Sequence, residues 1–307
     1  MVMSKYTFYQ LDVFTDTPLA GNPLAVLPSA EGLSSNTMQA LAREMNLSET
    51  TFVTPSDSAT RQVRFFTPAA EIPLAGHPTI GTWWLLAELG ELDLPRNGTL
   101  RITQDTGAGV LPVDITVVDG KPTDVAMTQP LPDFGPQLAD RDRLGVALGG
   151  GDGTVSEEPT AQVVATAFPQ LMIPICSLEA IQQLPSGGTG GSLAAVLREL
   201  NTDCAMCYSL DTVDPDSTVH CRMFAPALGV PEDPATGSAA GALASYLVQH
   251  GIVSPHDGVA KVVVEQGLEI GRPSLIHAEI VVGNGGEITD VRVGGRAVTV
   301  IAGEVTL

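Results

Sequence analysis

A length of 307 residues accommodates two domains of ordinary size, each able to bury a core without disulfides or metal. Against 35 Asp and Glu stand only 15 Lys and Arg, a formal charge of −20 that opposes binding to nucleic acid or anionic lipid. Charged residues make up only 16% of the chain, so the acidity reflects scarce Lys and Arg and reads as a solubility feature.

Residues 1–14 carry one early Lys and no continuous apolar run, so no secretory signal is expected there. No later stretch reaches the roughly eighteen uncharged apolar residues that span a bilayer. A soluble, cytoplasmic protein is therefore expected. Residues 6–14 alternate like a half-buried strand, 15–23 supply turn residues and 24–27 resume apolar character, which predicts a β-hairpin or meander. Ser34 and Ser35 can cap a helix whose apolar positions Met38, Leu41, Ala42 and Met45 share one face and which ends near Asn46. Strands over 50–53 and 62–66 come next, so Glu49 falls where helix hands over to strand. After Gly76-His77-Pro78-Thr79, the apolar run 80–89 and Gly90 predict a helix buried nearly all round.

Further strands are predicted over 99–102, 110–118 and 123–128, and 130–159 reads as a loop with one short helix that crosses to a second domain. Residues 203–208 read as a strand, which makes Cys204 and Cys207 buried thiols; neither a second such pair nor a nearby His supports a zinc site. The chain closes with strands at 261–265, 275–282 and 291–293, then a Gly294-Gly295 hairpin turn into 297–301.

An internal repeat organises the whole. Residues 64–73 match 222–231 without a gap at an offset of 158; three residues are then inserted in the second copy, after which 76–90 and 237–251 each run from Gly to Gly around an apolar helical stretch. Two half-molecules of one architecture are implied, each a twisted sheet wrapped on a central buried helix. The first is expected over 1–125, joined by the final strand 297–307, and the second over 126–296.

The repeat sets two equivalent loops, 73–79 and 231–238, at the N-termini of the central helices, where free N–H groups and partial positive charge suit a carboxylate. Gly76 and Gly237 would let a ligand approach the backbone closely. The polar groups at hand are His77, Asp233 and Ser238, with Glu49 as the candidate base for abstracting a proton beside a carbonyl or imine-like carbon. Against these stand plainer readings: a solvated carboxylate for Glu49, an Asp-Pro turn for Asp233 and a helix cap for His77. The five His (77, 220, 250, 256 and 277) form no close ligand pair, and phosphate-binding loops, dinucleotide fingerprints and nucleophile elbows are missing. Acid–base chemistry is left, or none.

Asp12-Val13-Phe14-Thr15, Gly21-Asn22-Pro23-Leu24-Ala25-Val26, Ser48-Glu49-Thr50-Thr51-Phe52, Arg64-Phe65-Phe66-Thr67-Pro68, Gly76-His77, Glu232 to Ser238, and Gln266-Gly267 through Gly271-Arg272-Pro273-Ser274 together resemble the phenazine-biosynthesis isomerase-like (PhzF-like) family from first strand to last. The resemblance implies an α/β (α+β) diaminopimelate-epimerase-like fold: two pseudo-symmetric domains, each a mostly antiparallel or mixed sheet around a central helix, with the active site in the cleft between them, in a homodimer. It implies a cofactor-independent, metal-free isomerase acting on a small carboxylate, with Glu49 as acid–base residue. His77, Asp233 and Ser238 would orient the substrate and steer the proton, and Gly76, Gly237, Asn22 and Thr236 would bind it. Two alternatives are an amino-acid epimerase or racemase using Glu49 with Asp233, and a non-catalytic metabolite-binding protein. Ala75 and Ala235-Thr236 precede the two helix-start glycines where racemases of this fold place facing thiols, which disfavours a two-thiol mechanism. Ala75 also departs from the Cys of many family members, and Ala167 from an expected Gly.

Overall fold

Burial in the first strand, β1 (Lys5–Val13), deepens along the chain until Leu11, Asp12 and Val13 are all fully buried, so that its end is covered on both faces. The computed structural model in which this is seen describes residues 4–307; residues 1–3, part of the stretch read for a secretory signal, lie outside it. The chain divides into two compact units, one of residues up to Met127 with Gly294–Leu307 and one of Thr128–Val293.

In the first unit β1 pairs antiparallel with β2 (Asn22–Leu27), which lies parallel to β3 (Glu49–Thr54). The crossover is α1 (Ser35–Met45). Its N-cap Ser34 Oγ accepts the Thr37 N–H, Asn46 closes it in the left-handed conformation, and Met38, Leu41 and Ala42 pack with Leu27, Phe52 and Phe66. The strands β4 (Arg61–Phe66) and β5 (Glu71–Ile72) are antiparallel and lead into α2 (Gly76–Glu88). Every residue of α2 from His77 to Ala87 is buried. Several polar groups on this helix find internal partners: Trp83 Nε1 donates to Gln104 Oε1 at 2.9 Å, and the hydroxyls of Thr82 and Thr51 meet at 2.9 Å. At Gly81 a Cβ would come 2.7 Å from both Leu24 and Val13, so glycine here lets the helix lie close on β1 and β2. Then come β6 (Gly98–Thr106), β7 (Gly109–Val118) and β8 (Lys121–Gln129) as an antiparallel meander, β6 also lying parallel to β4.

The second unit repeats the plan. It has β9 (Asp133–Leu138), α3 (Arg141–Leu148), β10 (Ala161–Ala165), β11 (Pro169–Pro174), α4 (Leu178–Gln182), α5 (Gly191–Glu199), β12 (Ala205–Ser209), β13 (Val219–Ala225), β14 (Val230–Asp233), α6 (Gly237–Gln249), β15 (Val259–Gln266), β16 (Ser274–Val282) and β17 (Ile288–Gly295). Pairing runs antiparallel β10–β11, parallel β11–β12, antiparallel β12–β13 and β13–β14, parallel β13–β15 and antiparallel β15–β16. This is the order seen from β1 to β7, with α6 in the place of α2. The last strand, β18 (Ala297–Thr306), belongs to the first unit and runs antiparallel to β1.

Four sequence expectations change. Phe65 pairs with Ile72 while its counterpart Met223 pairs with Asp233, so Glu71-Ile72 corresponds to Glu232-Asp233. The three extra residues of the second copy therefore lie before Glu232, within the segment 225–231 that holds the single turn of 3-10 helix Pro226–Leu228, and not after Pro231. The stretch 130–159 holds strand β9 besides the helix. Gly294 and Gly295 belong to β17, so the chain passes through Arg296 alone into β18, without a two-glycine hairpin turn. Of the two cysteines read as buried, Cys207 is, whereas Cys204 is half-buried. No helix among the described residues is long and apolar enough to cross a membrane.

Candidate active site

Glu49 opens β3 and is held in register opposite Leu24 of the parallel neighbour β2. His77 is the second residue of α2. Its Nε2 lies 3.4 Å from Glu49 Oε2, with the histidine side chain 9% and the glutamate side chain 19% exposed. This is no ordinary ion pair. Burial drives the His77 pKa down to about 3, against the opposing hydrogen bond to the Pro23 backbone, so the ring is neutral near pH 7. Nε2 makes no hydrogen bond, so the bond to the Pro23 carbonyl comes from Nδ1–H, and the Nε2 lone pair is what faces the Glu49 carboxyl. Asn22, fully buried at the start of β2, precedes Pro23 and completes this corner. Ala75 supplies no side-chain cap to α2, which leaves the amides at Gly76 and His77 without that partner.

Asp233, Thr236, Gly237 and Ser238 are gathered on the second unit's loop into α6. The Thr236 hydroxyl donates to Asp233 Oδ2 in a short hydrogen bond. Gln266, at the end of β15, clamps the loop: its Nε2 donates to the Asp233 carbonyl at 2.7 Å and to Thr236 Oγ1 at 3.1 Å, and its Oε1 accepts the Thr236 N–H at 3.2 Å. Ser274 Oγ donates to the Pro234 carbonyl at 3.1 Å. Gly267, at φ +82°, allows Pro234 to approach, because a Cβ there would meet the Pro234 oxygen at 2.5 Å. Gln170 Nε2 donates to Ser238 Oγ at 3.3 Å, leaving the serine's own proton free to be donated elsewhere. Gln129 Nε2 donates to the Gly237 carbonyl at 3.0 Å and its Oε1 accepts from Thr166 Oγ1 at 2.7 Å.

The structure thus brings Glu49, His77, Asn22 and Gly76 together in the first unit and Asp233, Thr236, Gly237 and Ser238 together in the second. Sequence reasoning singled out none of Gln129, Thr166, Gln170, Gln266 and Ser274 as site-forming residues. The Gln266 to Ser274 motif was visible, and the repeat held the remaining signal, since each of these side chains serves the helix start the repeat had located. Ala167 lies exposed in the turn between β10 and β11, beside buried Thr166. Cys204 is a protonated thiol, pushed up to about 11 by burial and by the charges of Asp203 and Asp233.

The phenazine biosynthesis-like protein family (PhzC-PhzF) matches residues 11–303. The trans-2,3-dihydro-3-hydroxyanthranilate isomerase of Pseudomonas chlororaphis is 34% identical over 308 residues, covering 97% of this chain and 98% of its own. A crystal structure of a PhzF-family phenazine biosynthesis protein from Bacillus anthracis superposes with a TM-score of 0.90 at 28% identity, over 99% of both chains. Hydroxyproline epimerase from Agrobacterium vitis, 13% identical, shares the fold with a TM-score of 0.65 over 99% of this chain and 93% of its own. With a family match spanning nearly its full length and relatives named isomerases, the chain belongs to the phenazine biosynthesis-like (PhzF) family of isomerases.

Proposed function

We propose that the protein shifts a proton between two carbons of a small, cyclic amino- or hydroxy-carboxylate without a cofactor, with Glu49 as the general acid and base. The observation that carries this is the neutral His77 whose Nε2 lone pair faces Glu49 at 3.4 Å. As a carboxylic acid, Glu49 can donate its proton to Nε2; as a carboxylate it can take one from substrate. Glu49 removes a proton from carbon, the C–H electron pair moves into the adjacent π system, and the same carboxylic acid returns the proton to a second carbon on the same face. Electrons and protons balance, so no oxidant or reductant is required. The buried side of the pair limits water, which would otherwise compete for the proton.

Asp233 and Ser238 are the proposed orienting groups for substrate amino or hydroxyl functions, and the amides at Gly76 and Gly237 the proposed partners of its carboxylate, with Asn22 and Thr236 supporting them. The name of the Pseudomonas relative supplies the first substrate to try. Incubation with trans-2,3-dihydro-3-hydroxyanthranilate and a panel of dihydroaromatic and amino-acid carboxylates in deuterated water, monitored by NMR, tests the reading. Isomerisation with deuterium incorporation that disappears in Glu49→Gln supports it. Turnover that survives in that variant rejects Glu49 as the base, and inversion at an α-carbon without a double-bond shift replaces the isomerase with an epimerase.

A further inference from the structure

Behind the Asp233 loop lies a buried charged cluster for which proton transfer at Glu49 has no use. His220, on β13, is fully buried and sets each ring nitrogen against a carboxylate: Nδ1 lies 2.7 Å from Glu265 Oε1, and Nε2 2.8 Å from Glu269 Oε1. A neutral imidazole offers one donor and one acceptor, so two ionised carboxylates are satisfied together only by the imidazolium. Two residues on, Arg222 donates Nε and Nη2 to Glu232 at 2.9 and 2.6 Å, approaches Glu269 at 3.8 Å, and gives Nη1 to the carbonyls of Ile181 and Leu184. Glu265 also accepts the N–H groups of Val213 and Asp214 at 2.6 and 2.9 Å. The charges form a chain, Glu265 to His220 to Glu269 to Arg222 to Glu232, that ends one residue before Asp233. Next to Glu265 in sequence is Gln266, whose amide holds the loop directly.

We propose that His220 is a positioning residue which, as imidazolium, holds Glu265 and Glu269 and through Arg222 and Glu232 sets the 232–238 loop in its substrate-binding form. The inference rests on reading that loop as a substrate-binding element. Its counterpart in the first unit shows what is added. There Arg64 makes the same two-pronged contact with Glu71, at 2.7 and 2.8 Å, and lies over Phe66 as Arg222 lies over Phe224. Gln62 stands in the place of His220, however, and the Glu71 side chain is 42% exposed where that of Glu232 is 3% exposed. The duplicated brace is buried and reinforced only where the loop it precedes carries an aspartate.

The groups facing His220 are Glu265 of β15 and Glu269 of the short 268–270 turn, with Arg222 beyond the latter; the Cys221 thiol, pushed up by burial, adds no charge. Burial opposes the charged ring, but hydrogen bonds to Glu269 and Glu265 outweigh it and raise its pKa above the ordinary histidine value. Order contributed by a group so raised is complete below the ordinary value and is lost as pH rises through the raised one.

Amide hydrogen exchange of the full chain, read by mass spectrometry on peptides covering 232–238, tests this without turnover. His220→Gln should speed exchange there at least about ten-fold while peptides from α2 stay unchanged. In the wild-type protein the same acceleration, corrected for intrinsic rate, should set in on raising the pH, and this step should be absent from the variant. A role confined to stability would lower the melting temperature without moving that pH profile. Unchanged protection of 232–238 in folded His220→Gln, or a flat wild-type pH series, overturns the proposal. If His220→Gln does not fold, Glu269→Gln keeps the His220–Glu265 pair and removes the carboxylate that joins His220 to Arg222; it must loosen the same segment, and normal protection there is equally fatal. Failure of the wild-type enzyme to turn over trans-2,3-dihydro-3-hydroxyanthranilate counts against the proposed function and leaves the exchange result standing.

Discussion

In the proposed mechanism, Glu49 and His77 divide one task between a group that carries the proton and a group that keeps it aimed. Replacing Glu49 with Gln preserves shape and removes the exchangeable acid, so kcat should fall by roughly 10²–10⁴-fold with little change in melting temperature. His77 also leaves a thermodynamic signature. Its pKa in the folded protein is about 3 against 6.5 for the free side chain, so between those values the unfolded chain binds the extra proton. Stability is therefore present above pH 6.5 and drains away as the pH falls towards 3. Chemical denaturation across that range should show a shallower acid loss in His77→Gln than in the wild type, and parallel curves would contradict the neutral buried ring. His220 has the opposite sign, since its raised pKa places its contribution on the acid side and its loss on the alkaline side.

At the scale of single elements, both central helices depend on residues with little or no side chain. In α6, a Cβ on Gly241 would collide with the Gln129 amide that holds the Gly237 carbonyl and receives Thr166. Gly241→Ala should cost about 1–3 kcal/mol in denaturant unfolding and should weaken substrate binding, because the displaced glutamine is part of the helix start. At the exposed end of α1, by contrast, Ser34→Ala removes one cap and should cost about 1 kcal/mol without affecting kinetics. Elements with a strong local signature were legible in advance: α1 through its cap and apolar stripe, and α2 and α6 through uninterrupted small and apolar residues. Strand β9 was not, because Gly135 and Pro136 interrupt any alternation. Its pairing with β10 has a register shift, and Gly135 packs closely on Val163, where a Cβ would lie 3.3 Å from the Val163 oxygen.

Over the whole molecule, the duplicated Arg–Glu pair makes a natural comparison of one interaction in two environments. Arg222→Ala strands Glu232 in the interior and should cost about 3–5 kcal/mol, whereas Arg64→Ala, beside a half-exposed Glu71, should cost only about 0–1 kcal/mol. Equal losses in the two unfolding curves would show that burial does not separate the pairs. The sequence by itself determined the family, the duplicated plan and the two central helices, and put forward Glu49, His77, Asp233 and Ser238 as candidates, because these are carried by contiguous motifs and local periodicity. Only the tertiary structure decided where the repeat takes its insertion, since strand register, with Phe65 opposite Ile72 and Met223 opposite Asp233, depends on hydrogen bonds between segments. Tertiary contact likewise revealed the neutral state of His77, the support given by Gln129, Gln170 and Gln266, and the charged cluster around His220. Burial and long-range hydrogen bonds set the charge of a ring and the hold on a loop, and neither is written in the residues that flank them.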